Sequence, residues 1–228
     1  MIGIFDSGVG GLTSYNEVRR LLPSEDIIYL ADSKNAPYGT KNRDTIIKLV
    51  KNNLRILKNR GADKILIACC TASSVYDSLD PDEKQIALPI IHPAACEALS
   101  CGNNIASVST SYTANTHVFK KEILAICRDA RVSEIPAQML VELVECGARD
   151  GGLLPREKVL LDNVCKKIRD TSPDALILGC THFSHLAGEF KLRLPSVKIV
   201  DAALIGARVI AASAASKQKQ RNGKTIYI

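Results

Sequence analysis

Aromatic residues are scarce in this sequence: they make up 4% of its 228 residues, and tryptophan is absent. A nucleic-acid-binding surface calls for a basic stripe interleaved with aromatics. The scarcity therefore argues against a nucleic-acid partner, despite a net charge of +6. Lys217, Lys219, Arg221 and Lys224 sit near the C-terminus with no acid among them, which reads as a solvated, mobile end. No apolar run approaches the roughly 18 to 20 residues that a membrane span needs. The N-terminus, MIGIFDSGVGG, lacks a basic segment followed by a long apolar one. It reads as an opening strand and not as a signal peptide, so no membrane partner is expected and the cytoplasm is the expected location. No cysteine pair has CxxC spacing, which argues against a zinc ribbon. A phosphate loop of the GxxxxGK(S/T) type is also missing, as is any Pro/Gly/Ser-rich linker.

What is present describes a folded protein: 46% apolar and 24% charged residues. The length suits one large domain, or two small ones around separate cores. Cysteines stand at 69, 70, 96, 101, 127, 146, 165 and 180, scattered through segments that otherwise read as helix or strand. Most are expected to be small core residues and not a disulfide scaffold. Short runs rich in Ile, Val and Leu read as strands: IGIFD (2–6), DIIYLAD (26–32), KILIAC (64–69), LPII (88–91), IASVST (105–110), DALILGC (174–180) and VKIVD (197–201). Several lack polar alternation, as strands covered on both faces do. Amphipathic stretches lie between them. One is LTSYNEVRRLL (12–22). Another is RDTIIKLVKNNLRILKNRG (43–61), with Ile46, Ile47, Val50, Leu54 and Leu57 in a stripe and Gly61 at the stop. Alternating strand and helix predicts an α/β protein with mostly parallel sheets.

Two of these strands end alike. KILIACCTAS and DALILGCTHF both run apolar strand, small residue, Cys, Thr. The echo suggests two similar halves, with PAACEALSCGNN (93–104) as the crossing point. In open parallel sheets ligands bind beyond the C-terminal strand ends, so each half would present one Cys–Thr tip to a shared cleft. A thiol there, beside a helix start, is expected to have its pKa lowered from about 8.5 toward neutrality. Two opposed thiols suit a reaction that removes a proton from one face of a carbon and returns one to the other. The competing reading is two buried cysteines capping core strands. A third is a zinc site on Cys69, Cys70, Cys180 and His182. FDSGVGGLT (5–13) puts Asp6 and Ser7 at the end of the first strand before glycines that let the backbone approach a ligand. NAPYGTK (35–41) is a tight loop holding Tyr38, and His182 stands two residues after Cys180.

DSGVGGLT, PYGTK, the CCTAS stretch and LGCTHF, in this order and spacing, resemble the glutamate racemases of the aspartate/glutamate racemase superfamily, from Ile2 to about Asp201. The resemblance implies two pseudo-symmetric three-layer α/β domains with the active site in the cleft between them. Their extents would be 1–93 plus 202–228, and 94–201. It implies a cofactor-independent isomerase that interconverts L- and D-glutamate by two-cysteine acid/base chemistry and feeds peptidoglycan synthesis, commonly as a homodimer. Cys69 and Cys180 match the two catalytic thiols. Asp6 matches the carboxylate assisting the first, His182 the imidazole assisting the second, and Glu145 a further acidic assistant. Asp6, Ser7, Tyr38, Gly39, Cys70, Thr71, Thr110, Thr113, Thr181 and His182 fall where the family holds the substrate.

The match departs in places. The family has Cys-Asn-Thr where this chain has Cys69-Cys70-Thr71, and a thiol replaces an amide poorly as a hydrogen-bonding group. An altered substrate such as aspartate, or a racemase-fold protein acting as a binding partner, are the alternatives this leaves. Ser184 stands where the family usually has Pro, with little effect expected. His92 stands where an acid is common. GKTIYI (223–228) reads as the start of a final strand, after which the resemblance implies a further helix. A first domain lacking that helix is expected to be less well closed and marginally stable.

Overall fold

The computed structural model describes residues 1–146, 152–214 and 222–228. Lys217, Lys219 and Arg221 of the basic stretch lie outside the described residues, as does the side chain of Cys146. The strands are β1 Ile2–Asp6, β2 Ile27–Ala31, β3 Lys64–Ile67, β4 Ala87–Pro89 and β5 Asn104–Ser109. They continue with β6 Arg131–Pro136, β7 Ala175–Gly179, β8 Lys198–Asp201 and β9 Thr225–Tyr227. The helices are α1 Leu12–Leu21, α2 Arg43–Asn59, α3 Cys70–Ser73, α4 Pro81–Ile86, α5 Ile91–Leu99 and α6 Ser111–Asn115. After these come α7 Val118–Ile126, α8 Met139–Cys146, α9 Pro155–Asp170, α10 Ala187–Arg193 and α11 Ala202–Ala214.

One sheet has the order β4-β3-β1-β2-β9 and the other β6-β5-β7-β8, with every pairing parallel. Strand alternation sends successive side chains to opposite faces. Phe5, Ile65 and Ile67 meet the stripe of α2, where Ile46, Val50, Leu54 and Leu57 are buried. Each such side chain contributes about 1.5–3 kcal/mol when fully buried. The helix is capped by the Asn42 side chain, which accepts the Thr45 N–H at 2.9 Å. It stops at Gly61, whose φ of +93° disfavours any residue with a Cβ. Leu176 and Leu178 face a separate cluster with Leu161 and Val164 of α9.

The inner faces share one cluster. Ile4 and Leu66 of the first sheet and Ile105 and Ile177 of the second join Ala94, Ala95 and Ala98 of α5 and Ala207 and Ile210 of α11. The two halves therefore do not have fully separate cores, because α5 and α11 lie between the sheets with small, buried side chains. Residues 93–99, within the expected crossing point, are helical and bury Ala94, Ala95 and Ala98. Ile90 and Ile91, read as strand, instead start α5. β6 was not expected: it is a half-exposed edge strand carrying Arg131 and Glu134. Ser184 donates to Asp201 at 2.9 Å, and the same carboxylate oxygen accepts the Ala203 and Leu204 N–H groups at the start of α11. Among the described residues, no helix is long and apolar enough to cross a membrane.

Candidate active site

All strands within each sheet run one way, so their C-terminal ends share an edge. Asp6 ends β1 and Cys69 follows β3; Thr110 follows β5 and Cys180 follows β7. Cys69 is the extended residue before α3, and Cys180 is the extended residue before a short 3-10 turn, Thr181–Leu186. Both thiols, with Cys70, are buried and line one cavity of about 30 Å³ between the sheets.

On the first side, Ser7 Oγ lies 3.4 Å from Cys69 Sγ, and the Ala72 N–H points at the same sulfur at 3.5 Å. Asp6 is fully buried beneath them. It accepts the Gly8 N–H at 2.9 Å and the Thr181 hydroxyl at 3.2 Å. The glycine-rich turn is close to protein atoms here. A Cβ at Gly10 would stand 2.5 Å from Thr181 Oγ1, and one at Gly11 2.5 Å from Asp6 Cβ. These two glycines thus let the turn close on Asp6 and the opposite half, while Ser7 and Gly8 of the same turn line the cavity.

On the second side, Cys180 Sγ lies 3.7 Å from His182 Nδ1, and His182 Nε2 lies 3.1 Å from Glu145 Oε1. With Nε2 turned to the Glu145 carboxylate, Nδ1 is the ring nitrogen that faces the Cys180 thiol. Glu145 comes from α8, is half-exposed, and lines the cavity.

Three threonines form the remaining polar wall. Thr71 Oγ1 lies 3.1 Å from Thr110 Oγ1 and 3.1 Å from Thr113 Oγ1, and Thr110 and Thr113 are 3.0 Å apart. Thr71 and Thr110 line the cavity; Thr113 and Asp6 stand one layer behind. Ser7, Tyr38, Gly39, Thr181 and His182 also line it. Tyr38 is buried, and its hydroxyl is engaged by Asp32 at 2.5 Å and by Asn53 at 3.1 Å. Gln138 and Val141 line the cavity without having been singled out in the sequence. They follow the unexpected strand β6, and no motif marked them.

The expected lowering of the thiol pKa does not occur in this closed site. Burial pushes Cys69 up to about 11, and the Asp6 carboxylate adds to the rise; Ser7 and the Ala72 N–H oppose it. Burial likewise raises Cys180 and Cys70. The reason is one of magnitude. A helix end is worth about 0.3–1 kcal/mol, and α3 is a single turn. Full desolvation moves a pKa by up to about 3–5 units. Asp6 is also raised by burial, against the pull of the Gly8 N–H, His182, the Gly11 N–H and Thr181. Among the described residues no three His, Cys, Asp or Glu side chains group so as to hold a metal ion, so Cys69, Cys70, Cys180 and His182 do not form the tetrahedral set considered from sequence.

Two parallel α/β halves that meet at a cavity, each contributing a cysteine from a strand end, define the class: a two-sheet α/β protein with its candidate site between the halves. Comparison with known proteins agrees. The sequence model of the Asp/Glu/Hydantoin racemase family matches residues 11–210. A glutamate racemase of Desulforudis audaxviator is 35% identical over 206 residues, 89% of this chain and 74% of that protein. The crystal structure of a glutamate racemase from Bacillus anthracis superposes with a TM-score of 0.89 at 25% identity, over all of this chain and 87% of the other. That of a glutamate racemase from Francisella tularensis in complex with D-glutamate gives 0.87 at 28% identity, over 99% and 86%. The chain belongs to the Asp/Glu/Hydantoin racemase family.

Proposed function

We propose that this chain is a glutamate racemase, an isomerase that interconverts L- and D-glutamate by two-cysteine acid/base chemistry without a cofactor. The observation that carries this is the presence of Cys69 and Cys180, each at the C-terminal end of a strand from a different sheet, in the wall of one cavity. Relatives named glutamate racemase at 32–35% identity over most of the chain support the substrate.

In one direction the Cys69 thiolate takes the α-proton and becomes a thiol. The Cys180 thiol then gives its proton to the opposite face of the carbanion and is left as thiolate. The other direction reverses the roles. Asp6 and Ser7 serve Cys69, and His182, oriented by Glu145, serves Cys180. A thiol held near 11 is protonated at neutral pH. Entry of the substrate's ammonium group beside the sulfur supplies the positive charge that favours its ionisation.

The division into 1–93 plus 202–228 and 94–201 belongs to the same proposal. It is supported by β9 returning to pair with β2 of the first sheet. A homodimer in the cytoplasm, supplying D-glutamate for peptidoglycan, completes it. The test is circular dichroism of L- and D-glutamate solutions with reduced protein. Both signals should decay to zero. Decay with L-aspartate alone would move the assignment to that substrate.

A further inference from the structure

We infer that Gln138 is a substrate-recognition residue, its side-chain amide donating a hydrogen bond to a carboxylate of the amino acid bound in this cavity; the inference rests on the racemase reading above. Gln138 lies between β6 and α8 and lines the cavity, half-buried. Its Oε1 lies 3.4 Å from the Ser111 backbone nitrogen. A backbone N–H only donates, so the acceptor end of the amide faces Ser111 and the NH2 end points elsewhere. That NH2 has no hydrogen-bond partner among the described residues, and it is not sealed from solvent as a buried unpaired atom would be. A Cβ on Gly39 would stand 2.9 Å from Gln138 Oε1 and 2.9 Å from Thr110 Cβ. The loops after β2 and β5 therefore pack against Gln138 at one corner of the cavity.

The donor inventory of that corner makes the free NH2 count. Among the described residues no Lys or Arg lines the cavity, so neutral donors must hold a dicarboxylate. The Tyr38 hydroxyl is committed to Asp32. Thr71, Thr110 and Thr113 make three contacts among three hydroxyls, which can take up all their protons. Cys70, on the wall from the five-stranded sheet, offers only a weak S–H donor. Gln138 thus brings the one side-chain amide that lines the cavity among the described residues, with its donor end uncommitted.

The experiment is calorimetric titration of L- and D-glutamate into reduced wild type, Gln138→Ala, Gln138→Glu, Cys70→Asn and the Gln138→Ala/Cys70→Asn pair, with steady-state kinetics alongside. Gln138→Ala should bind both enantiomers about tenfold or more weakly, the usual loss for a hydrogen bond to a charged group. KM should rise with much less change in kcat, a split that a general loss of structure would not produce. Gln138→Glu, nearly isosteric, should bind more weakly still because it sets an anion against an anion; it keeps the test decisive should the alanine variant misfold. Cys70→Asn, which places an amide on the opposite wall, should recover part of the loss in the double variant. Wild-type affinity in both Gln138 variants, from protein that binds and racemises glutamate, would overturn the inference and leave the racemase reading standing. A wild type that binds neither enantiomer would overturn both.

Discussion

The Thr181 hydroxyl donates to the Asp6 carboxylate at 3.2 Å, a bond between residues 175 positions apart and from different sheets. It lies under the cavity, joining the strand end that carries Ser7 to the strand end that carries Cys180. Asp6 has its other oxygen on the Gly8 N–H, so both carboxylate oxygens are engaged in a fully buried setting.

Thr181→Val keeps the shape and removes that donor. Leaving a buried acceptor unpaired costs about 1–3 kcal/mol. The variant should unfold at lower denaturant with an unchanged m-value, and should lose activity beyond what stability explains. Equilibrium urea unfolding, followed by assay well below the transition, separates the two effects.

Stability should fall on the alkaline side. Cys69 moves from an ordinary value of 9.0 to about 11 on folding, so the folded state holds its proton more tightly than the unfolded chain. That contribution is fully present below pH 9 and is lost as pH rises through 11, amounting to about 3 kcal/mol at most. Cys180 is raised in the same sense. Thermal midpoints under reducing conditions should drop between pH 9 and 11, and Cys69→Ser should flatten the drop. A midpoint that rises across this window would contradict the burial argument.

Glu145→Gln keeps an acceptor for His182 Nε2 and removes the charge. Losing a charge-assisted hydrogen bond costs about 1.5–3 kcal/mol, or roughly ten- to hundredfold in rate if the imidazole acts in the transition state. The two enantiomers are equal in free energy, so kcat/KM must fall equally in both directions. Initial rates with L- and D-glutamate check this. A variant as fast as wild type would remove Glu145 from the chemistry.

Much of this architecture was legible because parallel strands buried on both faces write themselves as apolar runs. β1, β3 and β7 are such runs, and Asp6, Cys69 and Cys180 stand where each run ends. β6 was illegible for the complementary reason: an edge strand with Arg131 and Glu134 solvated has no reason to be apolar. Gln138 and Val141 were lost with it, since their place in the cavity comes from the crossover after that strand. The thiol pKa was misjudged from local position alone. A strand end beside a helix start is a local feature, whereas the burial that outweighs it arises only when the second half covers the first.

The most direct measurement is deuterium incorporation at Cα in D2O, followed by NMR with L- and D-glutamate separately. It uses reduced wild type, Cys69→Ser and Cys180→Ser. Two opposed thiols predict that wild type inverts both enantiomers with deuterium incorporation. They also predict that each serine variant, though folded and binding glutamate, loses inversion by about a hundredfold or more. Inversion at the wild-type rate in either variant, or no exchange by folded, reduced wild type, would contradict the assignment of Cys69 and Cys180 as the acid–base pair.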